Sequence, residues 1–106
     1  MKPATFRDLL AWMIGRRERF HVRGRSMAPE LPDGATVLVA DRPPTTGDVV
    51  VARLPSDGQV IIKRVSRIEA DGRLFLRGDG ALTTDSRDYG AISSEHILGV
   101  VVSTFP

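Results

Sequence analysis

The chain carries fifteen basic side chains, but only two of them are lysines, Lys2 and Lys63. Lys2 is next to the terminus, whereas Lys63 sits in the most hydrophobic strand-like run of the sequence, residues 59–68 (QVIIKRVSRI). A strand has a side-chain period of two, so Ile61, Lys63 and Val65 share one side and Val60, Ile62 and Arg64 the other. Lys63 therefore keeps company with two branched apolar neighbours. Such a lysine is either an edge-strand charge that blocks aggregation and snorkels to water, or a buried amine. Burial disfavours the charged form, and a neutral amine can serve as a general base.

A base of this kind needs a nucleophile, and with no cysteine in the chain a serine is the natural candidate. Ser56 falls in a turn-like stretch, Ser66 on a strand, and Ser93 and Ser94 beside a short turn. Ser26 stands apart, in residues 24–29 (GRSMAP). Gly24, two residues ahead of it, lets the backbone approach a ligand, while Pro29 and Pro32 stiffen the chain that follows. A plain Gly/Ser/Pro loop has the same composition. No GxSxG elbow is present, which excludes an α/β-hydrolase.

Composition narrows the remaining chemistry. The absence of cysteine removes disulfides, thiolate catalysis and Cys-rich zinc sites, and His21 and His96 are the only histidines, with no HExxH spacing. Neither a metal nor another cofactor is expected. Residues 1–25 hold seven basic and two acidic side chains, and residues 26–106 hold eight and eleven, so a basic head precedes a mildly acidic body. That head suits an anionic partner, yet Arg16, Arg17 and Arg19 also fit a solvated helix end. The run 9–14 is six apolar residues long, against the roughly 20 a spanning helix needs. With no small-residue cleavage site after it, neither a membrane span nor a secretory leader is expected, and a cytoplasmic location follows.

At 106 residues the chain suits one compact domain. Residues 4–14 read as a short amphipathic helix, with Phe6, Leu9, Leu10 and Met13 at helical spacing. It would dock on the body or lie on a lipid surface, patterns that look alike in sequence. From residue 20 onward, short β-branched runs alternate with turns. Residues 35–40, 48–53, 59–68, 73–77 and 97–103 read as strands. The turns between them lie at 32–34, 43–47, 56–58 and 70–72, and Asp71-Gly72 has the chemistry of a hairpin tip. The fold expected is mostly β, a coiled or folded-over antiparallel sheet or partial barrel. Residues 1–19 form its basic helical head and residues 20–106 its body.

Four segments in a fixed order sharpen the reading: residues 24–31 (GRSMAPEL), 47–52 (GDVVVA), 61–65 (IIKRV) and 78–90 (GDGALTTDSRDYG). Together they resemble the boxes of the type I signal peptidase superfamily of serine proteases. Within it, residues 17–22 (RERFHV), IIKRV, residues 71–79 and the ending Ile97-Leu98-Gly99 look like the nickel-type superoxide dismutase maturation proteases. The resemblance implies a signal-peptidase-like fold, no cofactor, and a soluble serine endopeptidase that removes a short leader from a precursor protein, with nickel superoxide dismutase as the implied precursor. A processing protease for another precursor, or a non-catalytic peptide-binding or regulatory domain, is the alternative. About 20 residues cannot build a helix-turn-helix domain, so the self-cleaving, DNA-binding repressor version of the fold is disfavoured and no nucleic-acid partner is expected. Peripheral membrane contact by the N-terminal helix stays open.

Residue by residue, the resemblance makes Ser26 the nucleophile and Lys63 its base. The Ser26 backbone N–H would meet the oxyanion. Many signal peptidases add a side-chain hydroxyl where this chain has Gly24, so a second donor must be backbone or water. Thr83 matches the hydroxyl residue that sits near the lysine, although a turn residue would look the same. Arg25, Met27 and Pro29 flank the nucleophile and are read as substrate-binding, with core packing the plain alternative for Met27. Asp79, Asp85 and Arg87 match the fourth box as structural residues. Arg64, opposite Lys63 on its strand, needs an acidic partner, for which Asp79 or Asp85 would serve. Gly80 stands where the family usually has asparagine.

Overall fold

Apolar side chains at four successive positions bury a strand on both faces, and this is how the middle of the molecule is built. In a computed structural model, which describes residues 2–3 (backbone only), 18–22, 27, 31, 33–80 and 85–105, the strands are β1 (Lys2–Pro3), β2 (Glu18–His21), β3 (Thr36–Ala40), β4 (Val49–Arg53), β5 (Val60–Ile68), β6 (Leu74–Arg77) and β7 (Ile97–Phe105). A short helix α1 (Ser86–Tyr89) and a 3-10 turn (Ser94–His96) follow β6. The five strand-like runs of the sequence thus appear as β3 to β7, with ends shifted by one or two residues. The helix expected over residues 4–14 lies outside the described residues. Glu18 and Arg19, grouped above with the helical head, belong to β2, and β2 was not among the expected strands.

Among the described residues the sheet runs β2-β3-β7-β4-β5-β6, every neighbour antiparallel, with β1 parallel to the far end of β7. The order starts at β2 and stops at β6, so the sheet is open and does not close into a barrel. Val49 and Val51 of β4 face one core with Val22, Met27, Leu31, Val37, Val39 and Val101. Val50 and Ala52 face a second core with Val65, Leu74, Leu76, Ile92 and Val100. Alternation along one strand therefore feeds two apolar layers.

Two local devices set the registers. The β5–β6 hairpin closes at Asp71-Gly72, where Gly72 takes φ +89° and its N–H reaches the Glu69 carbonyl at 2.9 Å. The Asp71 carboxylate accepts from the Arg73 N–H at 3.1 Å, an Asx-type closure. The second device is in β7, where the pairing with β4 slips between Val51 and Ala52 and the pairing with β3 slips between Leu38 and Val39. Gly99 lies at this crossing, and a Cβ there would stand 3.1 Å from the Ala40 carbonyl oxygen and from Cβ and Cγ2 of Val39.

Gly99→Ala is accordingly expected to lower the stability of the fold by about 1–3 kcal/mol, the usual range for overpacking against backbone that cannot yield. Urea denaturation followed by circular dichroism measures it, and an unchanged midpoint would mean that β3 and β7 are free to separate there.

Candidate active site

β4 and β6 between them decide what Lys63 meets. β4 pairs with β5 from Val60 to Arg64, placing Val50 beside Lys63. β6 pairs with β5 only from Arg64 onward. On the β6 side, residues 60–63 have no strand partner among the described residues. This half-open edge borders a cleft of about 510 Å³, whose lining includes Phe20, His21, Met27, Ile61, Lys63 and Tyr89.

Lys63 is 5% exposed, the least exposed residue of β5 after Val65. It lies on the side of Val50, Ile61 and Val65, all members of the second core or packed against it. No carboxylate among the described residues forms a salt bridge with its ammonium. Burial is the largest influence on the amine and pushes its pKa below the ordinary 10.5; Asp85 pulls it up, Arg87 pushes it down, and Asp88 pulls it up. Desolvation outweighs the field of the two carboxylates.

Arg64 points to the other side and is clamped by Asp79, Nε to Oδ1 at 2.9 Å and Nη2 to Oδ2 at 2.7 Å, while its Nη1 donates to the Gly47 carbonyl at 2.8 Å. One side chain thus joins the turn before β4 to the residues after β6. Asp85, the other acid considered for Arg64, pairs with Arg87 instead. Its carboxylate is fully buried and accepts from the Arg87 N–H at 3.0 Å, Arg87 Nε at 2.9 Å, Arg87 Nη2 at 2.8 Å and the Gly78 N–H at 3.1 Å. Asp85 is also the N-cap of α1 in a reciprocal capping box, with the Asp88 carboxylate accepting from the Asp85 N–H at 3.0 Å. Ser86 Oγ accepts from the Leu76 N–H at 2.8 Å and fastens the helix to β6.

Met27 is buried at the cleft, packs in the first core, and accepts a hydrogen bond from the Leu31 N–H on its carbonyl at 2.8 Å. The residue that follows Ser26 in the chain therefore lines the same cleft as Lys63. Ser26 itself, with Gly24, Arg25, Pro29 and Thr83, lies outside the described residues. Tyr89, the only tyrosine, was not singled out from the sequence, and its position in the cleft depends on how α1 docks. Its hydroxyl oxygen is buried and, among the described residues, is the one such side-chain polar atom without a hydrogen-bond partner. Burial, with Asp85 and Asp88 acting in the same direction, pushes its pKa up to about 12. No cluster of metal-ligating side chains occurs among the described residues, and no helix there is long and apolar enough to cross a membrane.

A model of the Peptidase S24-like family matches residues 19–102, from β2 through most of β7. The chain belongs to the Peptidase S24-like family. The match takes in both core layers, the cleft and Lys63. No curated protein matches the chain. The peptidase scaffold is thus established for this S24-like domain, and the signal-peptidase-like order of boxes falls within the matched span.

Lys63 holds its proton less tightly in the folded S24-like domain than in the unfolded chain. Between its folded-state pKa and 10.5 the unfolded chain binds more protons, so this residue makes stability rise with pH across that interval. Lys63→Met is expected to be more stable than wild type at pH 7, on the order of 1 kcal/mol, because it removes a buried amine that has no salt-bridge partner among the described residues. The advantage should shrink as pH approaches 10. A gain independent of pH would show that the amine is solvated in the folded state.

Proposed function

We propose that this protein is a serine endopeptidase working by a Ser26–Lys63 dyad. The observation that carries the reading is a desolvated lysine amine in a peptide-sized cleft that also contains the chain neighbour of Ser26. Neutral Lys63 accepts the proton of Ser26 Oγ as that oxygen bonds to the scissile carbonyl carbon. The resulting ammonium returns the proton to the leaving amine as the C–N bond breaks. Lys63 then deprotonates a water that attacks the acyl-enzyme, and the proton goes back to Ser26 Oγ. The Ser26 backbone N–H is the first oxyanion donor, with Thr83 orienting the amine.

The substrate is an extended peptide. On the side away from β4, residues 60–63 have no strand partner among the described residues, so a peptide can add there as a strand, as peptides do at other exposed sheet edges. Arg25, Met27 and Pro29 border its path. The processed protein is a precursor with a short N-terminal leader, and the resemblance in residues 17–22, 61–65 and 71–79 favours a nickel superoxide dismutase precursor. The nickel is the substrate's; the protease needs no cofactor. The reading places the protein in the cytoplasm, with no nucleic-acid partner.

Incubating the protein with a leader-bearing nickel superoxide dismutase precursor, and reading the products by mass spectrometry, tests this directly. Ser26→Ala and Lys63→Met should each lower kcat by about a thousandfold or more, as the loss of one member of a catalytic unit does elsewhere. His21→Ala and His96→Ala should leave kcat within a few-fold of wild type. For wild type, kcat/KM should rise with pH as Lys63 loses its proton. Full activity in both dyad variants would overturn the reading.

A further inference from the structure

The hydroxyl oxygen of Tyr89 is buried at the inner wall of the cleft, although the residue as a whole is only partly buried. Tyr89 packs against the second core, as does Ile61, which flanks Lys63 on the same side of β5. Its ring and the Lys63 side chain line one cleft. Among the described residues, the charged or titratable groups facing that region are His21 from β2 and Asp85, Arg87 and Asp88 from α1 and its cap. β4 and β6 contribute apolar side chains there, Val50, Ala52, Leu74 and Leu76.

We propose that Tyr89 is a positioning residue that acts through Lys63, its ring closing the inner wall of the cleft so that water does not reach the amine. This deepens the dyad reading and rests on it for its functional meaning. The directions of the two titrations agree with a dry wall. Lys63 is moved down and Tyr89 up, each with burial as the first cause. The negative field of Asp85 and Asp88 alone would move both groups up. A poorly hydrated setting favours the neutral form of an amine and of a phenol together. In this account the ring does the work and the hydroxyl does not.

The lysine count makes a direct test simple. With carbon-13 at the lysine ε position, the protein shows two side-chain signals, from Lys2 and Lys63, and Lys63→Met assigns them. The Lys63 titration is then followed by NMR in wild type, Tyr89→Phe and Tyr89→Ala, the fold being checked by backbone spectra. Tyr89→Phe should titrate as wild type does. Tyr89→Ala should shift the Lys63 midpoint upward, lowering the fraction of neutral amine at pH 7 at least about threefold. Tyr89→Leu, which keeps apolar bulk but shortens the wall, should fall between them and serves if the alanine variant does not fold. A folded Tyr89→Ala or Tyr89→Leu protein with an unmoved midpoint would overturn the proposal. So would a Tyr89→Phe midpoint displaced as far as that of Tyr89→Ala, since the hydroxyl would then be the active group. The NMR titration does not depend on proteolysis, so a wild-type protein that cleaves no precursor would sink the dyad reading and leave this result standing. If both hold, the alkaline-rising limb of kcat/KM moves upward in pH with the Lys63 midpoint.

Discussion

A lysine amine removed from water is the constraint around which this small protein is organised. An ammonium left in solvent is a poor base, and an ammonium buried without a partner destabilises the fold, so the site has to be carried by structure that is stable for other reasons. β4 supplies it. Because every side chain of Val49, Val50, Val51 and Ala52 is buried, one strand anchors both apolar layers. Lys63 hangs from the next strand, opposite Val50, where the second layer is already closed by Val65, Leu74 and Leu76.

In the dyad reading, the same strand must present Lys63 to a ligand while holding still. Arg64 provides the hold. Its guanidinium faces away from the cleft and is fixed in a fork-to-fork pair with Asp79 and a bond to the Gly47 carbonyl, which sets the backbone on either side of it. The pair is partly exposed, so its worth is geometric more than energetic. Since β4 pairs with β5 up to Arg64 and β6 pairs from Arg64 onward, one residue marks where β5 passes from one neighbour to the other.

Most of the sheet was legible because its signals are local. Residues 48–53 and 97–103 are runs of valine and isoleucine, the Asp71-Gly72 tip carries its turn chemistry in two letters, and period-two counting put Lys63 with Ile61 and Val65 and left Arg64 in need of an acid. β2 was not legible. Its four residues (ERFH) include two charges and one large apolar side chain, and it forms a strand because β3 offers an outer edge to pair with, a long-range fact. α1 is too short for any helical period, and only the Asp85 and Asp88 spacing of its capping box hints at it. Tyr89 could not be placed in the cleft for the same reason, since its position depends on the Ser86 bond to Leu76. The choice between Asp79 and Asp85 as the partner of Arg64 also turned on the helix, because the N-cap commits Asp85 elsewhere.

That commitment bears on the chemistry as well as on the fold. A fully buried carboxylate near a lysine would ordinarily hold the proton on the amine, and Asp85 does pull in that direction. Its carboxylate, however, accepts from N–H donors that include three of Arg87 and one of Gly78, and the Arg87 guanidinium acts on Lys63 with the opposite sign. Arg87 therefore both holds the cap of α1 and offsets part of the pull that Asp85 exerts on the Lys63 proton. Desolvation sets the direction of the shift although Asp85 remains the largest opposing influence on the amine, with Arg87 offsetting part of it.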